Sequence, residues 1–247
     1  MESAELIASK FKIRASSCLD IMAEGKGGKI SAGAMTYCKK WLKEYLYNRR
    51  KDIKSKYIDK GNKTEEDGFT IMATELIKEM VYKNTERKSN EWCEGECDLF
   101  HNKIVYDNKA SYDLDTFPMF EIENPEKKYW QQLQVYAWLW NAESAVLCYT
   151  LNDATPDMIE AALKWVVNED DAYKIVQGMV FTQENFDNYQ REYFPLSELD
   201  TFIEIPDADR IKKFDISVDL HNRDKIKKHV ELCREYIISL IKQKSNG

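Results

Sequence analysis

The chain is poor in the features that mark several large protein classes. Its 247 residues contain no run of about 18 apolar residues, so no helix of it is expected to cross a membrane. Glycine (nine) and proline (five) are scarce, which argues against long disordered tracts. The three histidines, His101, His221 and His229, sit in no recognisable pattern, so chemistry built on imidazole is not indicated. The six cysteines are scattered and only Cys93 and Cys97 lie close together; no second pair or histidine cluster completes a zinc or iron–sulfur set. Free, buried thiols are the expected state. The opening MESAELIASKFKIR lacks the apolar centre of a secretion signal, and a cytoplasmic protein is expected.

What is present supports a core: 43% of residues are hydrophobic and 12% aromatic. With no internal repeat and no linker, the expectation is one domain over 1–247, with a core at about 31–151, an N-terminal segment at 10–24 and a C-terminal elaboration at 152–247. The net charge of −7 is unevenly spread. Between Lys39 and Lys63, ten lysines or arginines face three acids, a local charge of +7 that leaves −14 for the remainder. A basic segment on an acidic body suits local contact with a phosphate backbone, although a lysine-rich helix is as often only a solvated face.

Hydrophobic spacing predicts a first helix around CLDIMA with Ser16 and Ser17 as caps, a loop at 24–29, and a long helix from about Ser31 to Arg50. A further helix is predicted over 64–81, with Phe69, Met72, Ala73, Leu76 and Met80 on one face. A hairpin at 91–111, a helix at 126–142 and a strand at 145–151 follow. Strand, helix, strand makes a βαβ unit, so strands 104–110 and 145–151 are expected to be parallel in one sheet. Pro156 opens a helix over 157–167. The stretch 168–222 is weakly patterned, with short strands expected at 201–205 and 210–218, and a last helix spans about 223–242.

The chemistry concentrates between Gly95 and Ser111. Alternation on a strand puts Asp107, Lys109 and Ser111 on one face and Asn108 on the other. Asp98, on the neighbouring strand, adds a second carboxylate to the same cleft. Two carboxylates in a small volume repel unless a cation lies between them, and oxygen-only ligands suit Mg²⁺ or Mn²⁺. A lysine beside them can orient an attacking water or neutralise a phosphate, a set of parts that fits metal-assisted phosphodiester hydrolysis. Asp-x-Lys alone is more often a solvated strand face, so its meaning comes from its neighbours. Glu65 and Glu66 both flank the apolar stripe at the start of the 64–81 helix, and helical geometry does not choose between them.

Four short elements occur in a telling order. Gly61-Asn62-Lys63-Thr64-Glu65 reads Gly-x-x-x-Glu, and Gly95-Glu96-Cys97-Asp98 reads Gly-x-x-Asp. Asp107-Asn108-Lys109 reads (D/E)-x-K, and Gln132 to Tyr136 reads Gln-x-x-x-Tyr on one helix face. Together they resemble the PD-(D/E)XK nuclease superfamily, and within it the phage-type exonucleases related to lambda exonuclease and the YqaJ-like recombinases. The departure is Cys97, where the superfamily name has proline; the metal-binding acid is unaffected. The resemblance implies a mixed α/β sheet flanked by helices and favours Glu65 over Glu66. It implies Glu65, Asp98, Asp107 and Lys109 as catalytic residues, with Glu65, Asp98, Asp107 and the backbone carbonyl of Asn108 as Mg²⁺ or Mn²⁺ ligands. DNA contacts would fall to Arg14, Ser16, Ser17, Ser111, Gln132 and Tyr136, with Arg14 and Ser16 near a 5′-phosphate. The iron–sulfur branch needs three cysteines near the C-terminus, where only Cys233 lies, so no cluster is expected.

The resemblance thus implies an exonuclease acting on double-stranded DNA ends, 5′ to 3′, in phage or mobile-element recombination. A single-strand annealing protein is the implied partner, and a homo-oligomer is compatible with it. Two other readings stand beside it: a structure-specific or restriction-type endonuclease on the same fold, and a non-catalytic DNA-binding module.

Overall fold

The computed structural model describes residues 2–49, 56–121, 125–195 and 202–246. The chain opens with α1 (Ala4–Ser9), β1 (Ile13–Arg14), α2 (Cys18–Ile21) and α3 (Ala32–Tyr47), followed by α4 (Lys56–Lys63) and α5 (Glu65–Ile71). Next come β2 (Lys88–Ser89), β3 (Cys93–Gly95), β4 (Leu99–His101), β5 (Ile104–Ser111), α6 (Lys127–Trp140) and β6 (Ser144–Leu151). The chain ends with α7 (Pro156–Leu163), α8 (Glu169–Gln177), α9 (Gln183–Tyr193), β7 (Ile211–Ser217) and α10 (Leu220–Asn246).

The main sheet has the order β4-β5-β6-β7. β5 and β6 run parallel through the α6 crossover, and the outer strands are antiparallel to them. Asn102 and Lys103 turn β4 into β5 with φ of 49° and 62°, the positive pair that a two-residue hairpin loop needs. Alternation then divides the core. Val105, Ala145, Leu147 and Ile216 face α6 and α10, whereas Tyr106, Val146 and Cys148 face Met72 on the other side. Each valine, leucine, isoleucine or methionine buried this way contributes roughly 1.5–3 kcal/mol. The α/β architecture with a mixed sheet between helices is the one expected.

Helix α6 is buried from Gln131 through Ala137, on nearly all its faces. Three of its residues are glutamines, and each amide has a separate partner. Gln131 donates to Cys18 Sγ (3.5 Å), Gln132 to Asp107, and Gln134 to the Ser217 carbonyl (2.8 Å) at the end of β7. Segments from both chain ends enter the core: β1 runs parallel to β3, and α10 sends Arg234 to the carbonyls of Phe11 and Glu91 (3.2 and 2.7 Å). Helices α7–α9 enclose a separate cluster around Tyr173, Phe186 and Phe194, whose rings meet mostly edge to face.

Several expectations are corrected. The hairpin is limited to β4 and β5; residues 93–95 instead join a small sheet ordered β1-β3-β2. The helix expected over 64–81 changes to a wider π turn at Met72–Ile77 and stops at Lys78, which is left-handed (φ 58°). The wider turn breaks the 3.6-residue stripe, and Met80 stands 86% exposed. The first helix resolves into two short pieces, and Ser17 makes no side-chain cap bond. The weakly patterned stretch contains two helices, α8 and α9, and no strand occurs at 202–205; residue 201 lies outside the described residues. Part of the basic segment 39–63, residues 50–55, also lies outside them. Among the described residues no helix is long and apolar enough to cross a membrane.

Candidate active site

A cavity of about 370 Å³ opens where β5 runs past the start of β4. One wall is Gly61, Asn62 and Glu65; the other is Lys109, Ala110 and Tyr129, with Asp98 and Asn108 between them. A larger apolar groove of about 1010 Å³ lies between α1, α3 and α10, but it gathers no comparable set of acids. The chemistry is therefore in the smaller cavity.

Asp107 is 2% exposed, and the Lys109 ammonium stands 2.6 Å from its Oδ2. Asp98 accepts the Asn108 backbone N–H at its Oδ2 (2.6 Å). A strand residue sends its N–H and C=O to the same edge, so the Asn108 carbonyl also faces the Asp98 side, just ahead of the first residue of β4. The Asn108 side chain points the other way and donates to Thr150 Oγ1 (3.0 Å). Burial, then the charge of Asp107, pushes the Asp98 carboxyl up to about 7. Burial alone would lower the Lys109 ammonium, but Asp107 and Asp98 outweigh it and hold it above its ordinary value. The ring of Tyr129 lies 5.4 Å from the same ammonium.

This donor set fits a divalent cation. Asp107 Oδ2 is buried with no hydrogen-bond partner beyond the Lys109 ion contact, and Asp98 is strained in its ionised form. Both are the marks of carboxylates short of positive charge. Among the described residues no three acids, histidines or cysteines are already gathered as a cage. Glu65 is at the cavity rim in an ion pair with Lys83 (2.8 Å), from which it would have to turn. Glu66 does not line the cavity.

Gln132 and Tyr136 are both 5% exposed and act through Asp107. The Gln132 amide donates to Asp107 Oδ1 (3.3 Å) and to the Tyr136 hydroxyl (2.8 Å), so the tyrosine aims the amide and the amide aims the carboxylate. As placed, they support the site from behind rather than present a surface to DNA. Gly95 makes this possible, because a Cβ there would come within 2.7 Å of the Tyr136 ring and 2.9 Å of Ala15. Gly68 does the same for α5: a Cβ would meet Asn108 Nδ2 at 2.4 Å and Thr150 Oγ1 at 2.6 Å.

The remaining sequence-predicted residues are more dispersed. Ser111 is 5% exposed, with a buried hydroxyl that has no hydrogen-bond partner. Ser16 is exposed and Ser17 half-buried. Arg14 is shared between Glu44 (3.3 Å) and Glu94 (3.6 Å), so a phosphate there competes with two carboxylates. Pattern reading missed Tyr129, Lys83, Lys60 and Asn152. Tyr129 is one helical turn before Gln132 and Lys60 directly precedes Gly61, both usable signals; Lys83 and Asn152 are brought in by tertiary contacts alone.

No protein-family model matches the sequence, and no curated protein matches it. Among solved structures, the chain is similar to a phage-related exonuclease from Haemophilus somnus 129PT. The TM-score is 0.73 at 27% identity, covering 95% of this chain and 96% of that one. The alkaline exonuclease LHK-Exo from Laribacter hongkongensis gives a TM-score of 0.62 at 13% identity, covering 98% and 97%. LHK-Exo in complex with dAMP gives 0.59 at 14% identity, covering 95% and 93%. The structural match to phage-related and alkaline exonucleases, of the PD-(D/E)XK type that the motifs resemble, thus extends over nearly the whole chain.

Proposed function

We propose that this chain is a metal-dependent deoxyribonuclease that degrades double-stranded DNA from its ends. The observation that carries the reading is the buried Asp98–Asp107 pair with Lys109 at 2.6 Å, in a chain similar over 95% of its length to a phage-related exonuclease. The LHK-Exo complex holds dAMP, and a nucleotide is the class of product this cavity would release.

Asp98, Asp107, Glu65 and the Asn108 carbonyl would hold Mg²⁺ or Mn²⁺. When bound, such an ion lowers the pKa of a coordinated water and neutralises charge on the phosphate. Lys109, held above its ordinary pKa, stays an ammonium throughout the working range and can only donate. Its role is to fix the attacking water and stabilise charge that develops on the phosphate oxygens. Gln132 keeps Asp107 Oδ1 occupied, which leaves Oδ2 for the cation and the lysine. The Tyr129 ring, 5.4 Å from the ammonium, adds a cation–π contact that helps hold it in place. The 5′-to-3′ direction is inferred from Arg14 and Ser16, and supply of single strands to an annealing protein follows from that direction.

Incubation with linear and covalently closed circular duplex DNA in Mg²⁺ tests the reading. Linear duplex should release mononucleotides progressively from one strand at each end and leave single strands, while the circle stays intact. Cutting of the circle would move the assignment to an endonuclease, and DNA binding without cleavage to a non-catalytic module.

A further inference from the structure

Three glycines stand in or beside the site, and the protein's own packing explains only two. Added side chains at Gly68 and Gly95 would collide with Asn108 and with Tyr136. Gly61 is different. It lies inside α4, has no positive φ, and a Cβ built on it meets no atom of a described residue within 4 Å. Glycine is among the least favourable residues for a helix interior, because it gives up the most backbone freedom. Yet Gly61 lines the candidate catalytic cavity together with Lys109 and Tyr129.

The turn that carries Gly61 is fixed on both sides. Lys60 is 2% exposed, and its ammonium donates to the Tyr112 carbonyl (2.7 Å), just beyond β5. The rings of Tyr112 and Phe181 lie 5.9 and 5.5 Å from the same nitrogen. Thr64 Oγ1 donates to the Lys60 carbonyl (3.0 Å), and Asn152, itself fully buried, donates to the Thr64 carbonyl (3.0 Å). A turn anchored in this way cannot move aside to make room for a bulkier residue.

We propose that the bare backbone of Gly61 is a substrate-contact surface: the sugar–phosphate backbone of the DNA strand being cut lies against it, so closely that any side chain there would stand in the strand's path. The occupant enters from the cavity side, since no described residue uses the space. A phosphodiester strand bound between Gly61 and Lys109 would present its phosphate to the ammonium and its sugar to the glycine. This inference rests on the nuclease reading and names where that reading's substrate touches the wall.

The test compares Gly61→Ala and Gly61→Val with the unmodified chain. Three quantities are measured: melting temperature, the rise in melting temperature on adding Mg²⁺, and kcat/KM on linear duplex DNA. Gly61→Ala should melt about 2–4 °C higher, because alanine favours the helix. Both variants should keep the unmodified chain's response to Mg²⁺, which reports intact metal-binding acids. Duplex cleavage should fall at least tenfold in Gly61→Ala and further in Gly61→Val. Cleavage at the unmodified rate in both variants overturns the inference. So does a loss of the Mg²⁺ response in parallel with cleavage, since the damage would then lie in the metal-binding acids. An unmodified chain that leaves duplex DNA uncut overturns the nuclease reading itself, and this inference with it.

Discussion

Replacing Asp98 with asparagine should make the protein more stable at pH 8 while removing its response to magnesium. The Asp98 carboxyl is raised from 3.8 to about 7, first by burial and then by Asp107. That rise corresponds to about 4 kcal/mol against the ionised form. The sign follows from proton uptake: the folded chain holds this proton more tightly than the unfolded chain does. The stability it contributes is complete below pH 3.8 and declines as pH rises, until it is lost above about 7. The asparagine would stay neutral at every pH, could still accept the Asn108 N–H, and would turn an amide N–H₂ toward Asp107. Because the cavity edge is open to water, about half of the strain is the expected gain, roughly 2 kcal/mol or about 4–8 °C in melting temperature at pH 8. The assay is thermal unfolding from pH 4 to 9, with and without Mg²⁺. The unmodified chain should lose stability as pH rises to about 7 and, as the proposed site requires, recover it with Mg²⁺, which would bind only the folded, ionised form. Asp98→Asn should show neither effect. A variant that melts below the unmodified chain at pH 8 in chelator, or that responds equally to Mg²⁺, refutes the reasoning.

Three further outcomes are expected. Lys109→Met should fold and still bind duplex DNA but cleave it about ten-thousandfold more slowly, read as single-turnover kinetics; full activity would remove the lysine from the site. Gly95→Ala should displace Tyr136, and with it Gln132, costing about 1–3 kcal/mol in stability by overpacking and lowering kcat more than duplex affinity; equal losses in a double variant with Tyr136→Phe would indicate a shared path. Arg14→Ala should lower kcat/KM about tenfold on 5′-phosphorylated ends and little on 5′-hydroxyl ends, the low end for a charge-assisted contact because Glu44 and Glu94 already share the guanidinium. Equal rates on the two ends by the unmodified chain would remove the basis for the proposed direction.

The parts of this structure that the sequence makes legible are those with a short period. The two-residue repeat of a strand is enough to place Asp107 and Lys109 on one face and Asn108 on the other, and strand, helix, strand spacing is enough to make β5 and β6 parallel. Asp98 and Asp107 are readable as candidates because they lie close in sequence, whereas helix position leaves Glu65 and Glu66 open and only the resemblance favours Glu65. What escapes depends on contacts between distant segments. The pairing of Ile13 with Cys93 joins strands of two and three residues, too short to carry a pattern. The π turn at Met72–Ile77 shifts the stripe in a way a 3.6-residue period cannot anticipate. Helix α8 does have local signals, since Asn168 caps it and Glu169, Asp170 and Asp171 fill its first turn, but its neighbours give no context. Lys83 and Asn152 reach the site only through the folded chain.

The three glutamines of α6 have a mechanical consequence. Consecutive helical residues are about 100° apart, so Gln131, Gln132 and Gln134 leave the axis in three directions. One holds α2 at Cys18, one the candidate acid Asp107, one the end of β7 at Ser217. The helix is therefore indexed like a shaft with three keys, unable to rotate or slide for one partner without releasing the others. Slack at α2 or at the end of β7 reaches Asp107 as a change in the phase of that shaft, which makes two segments remote in sequence part of its alignment.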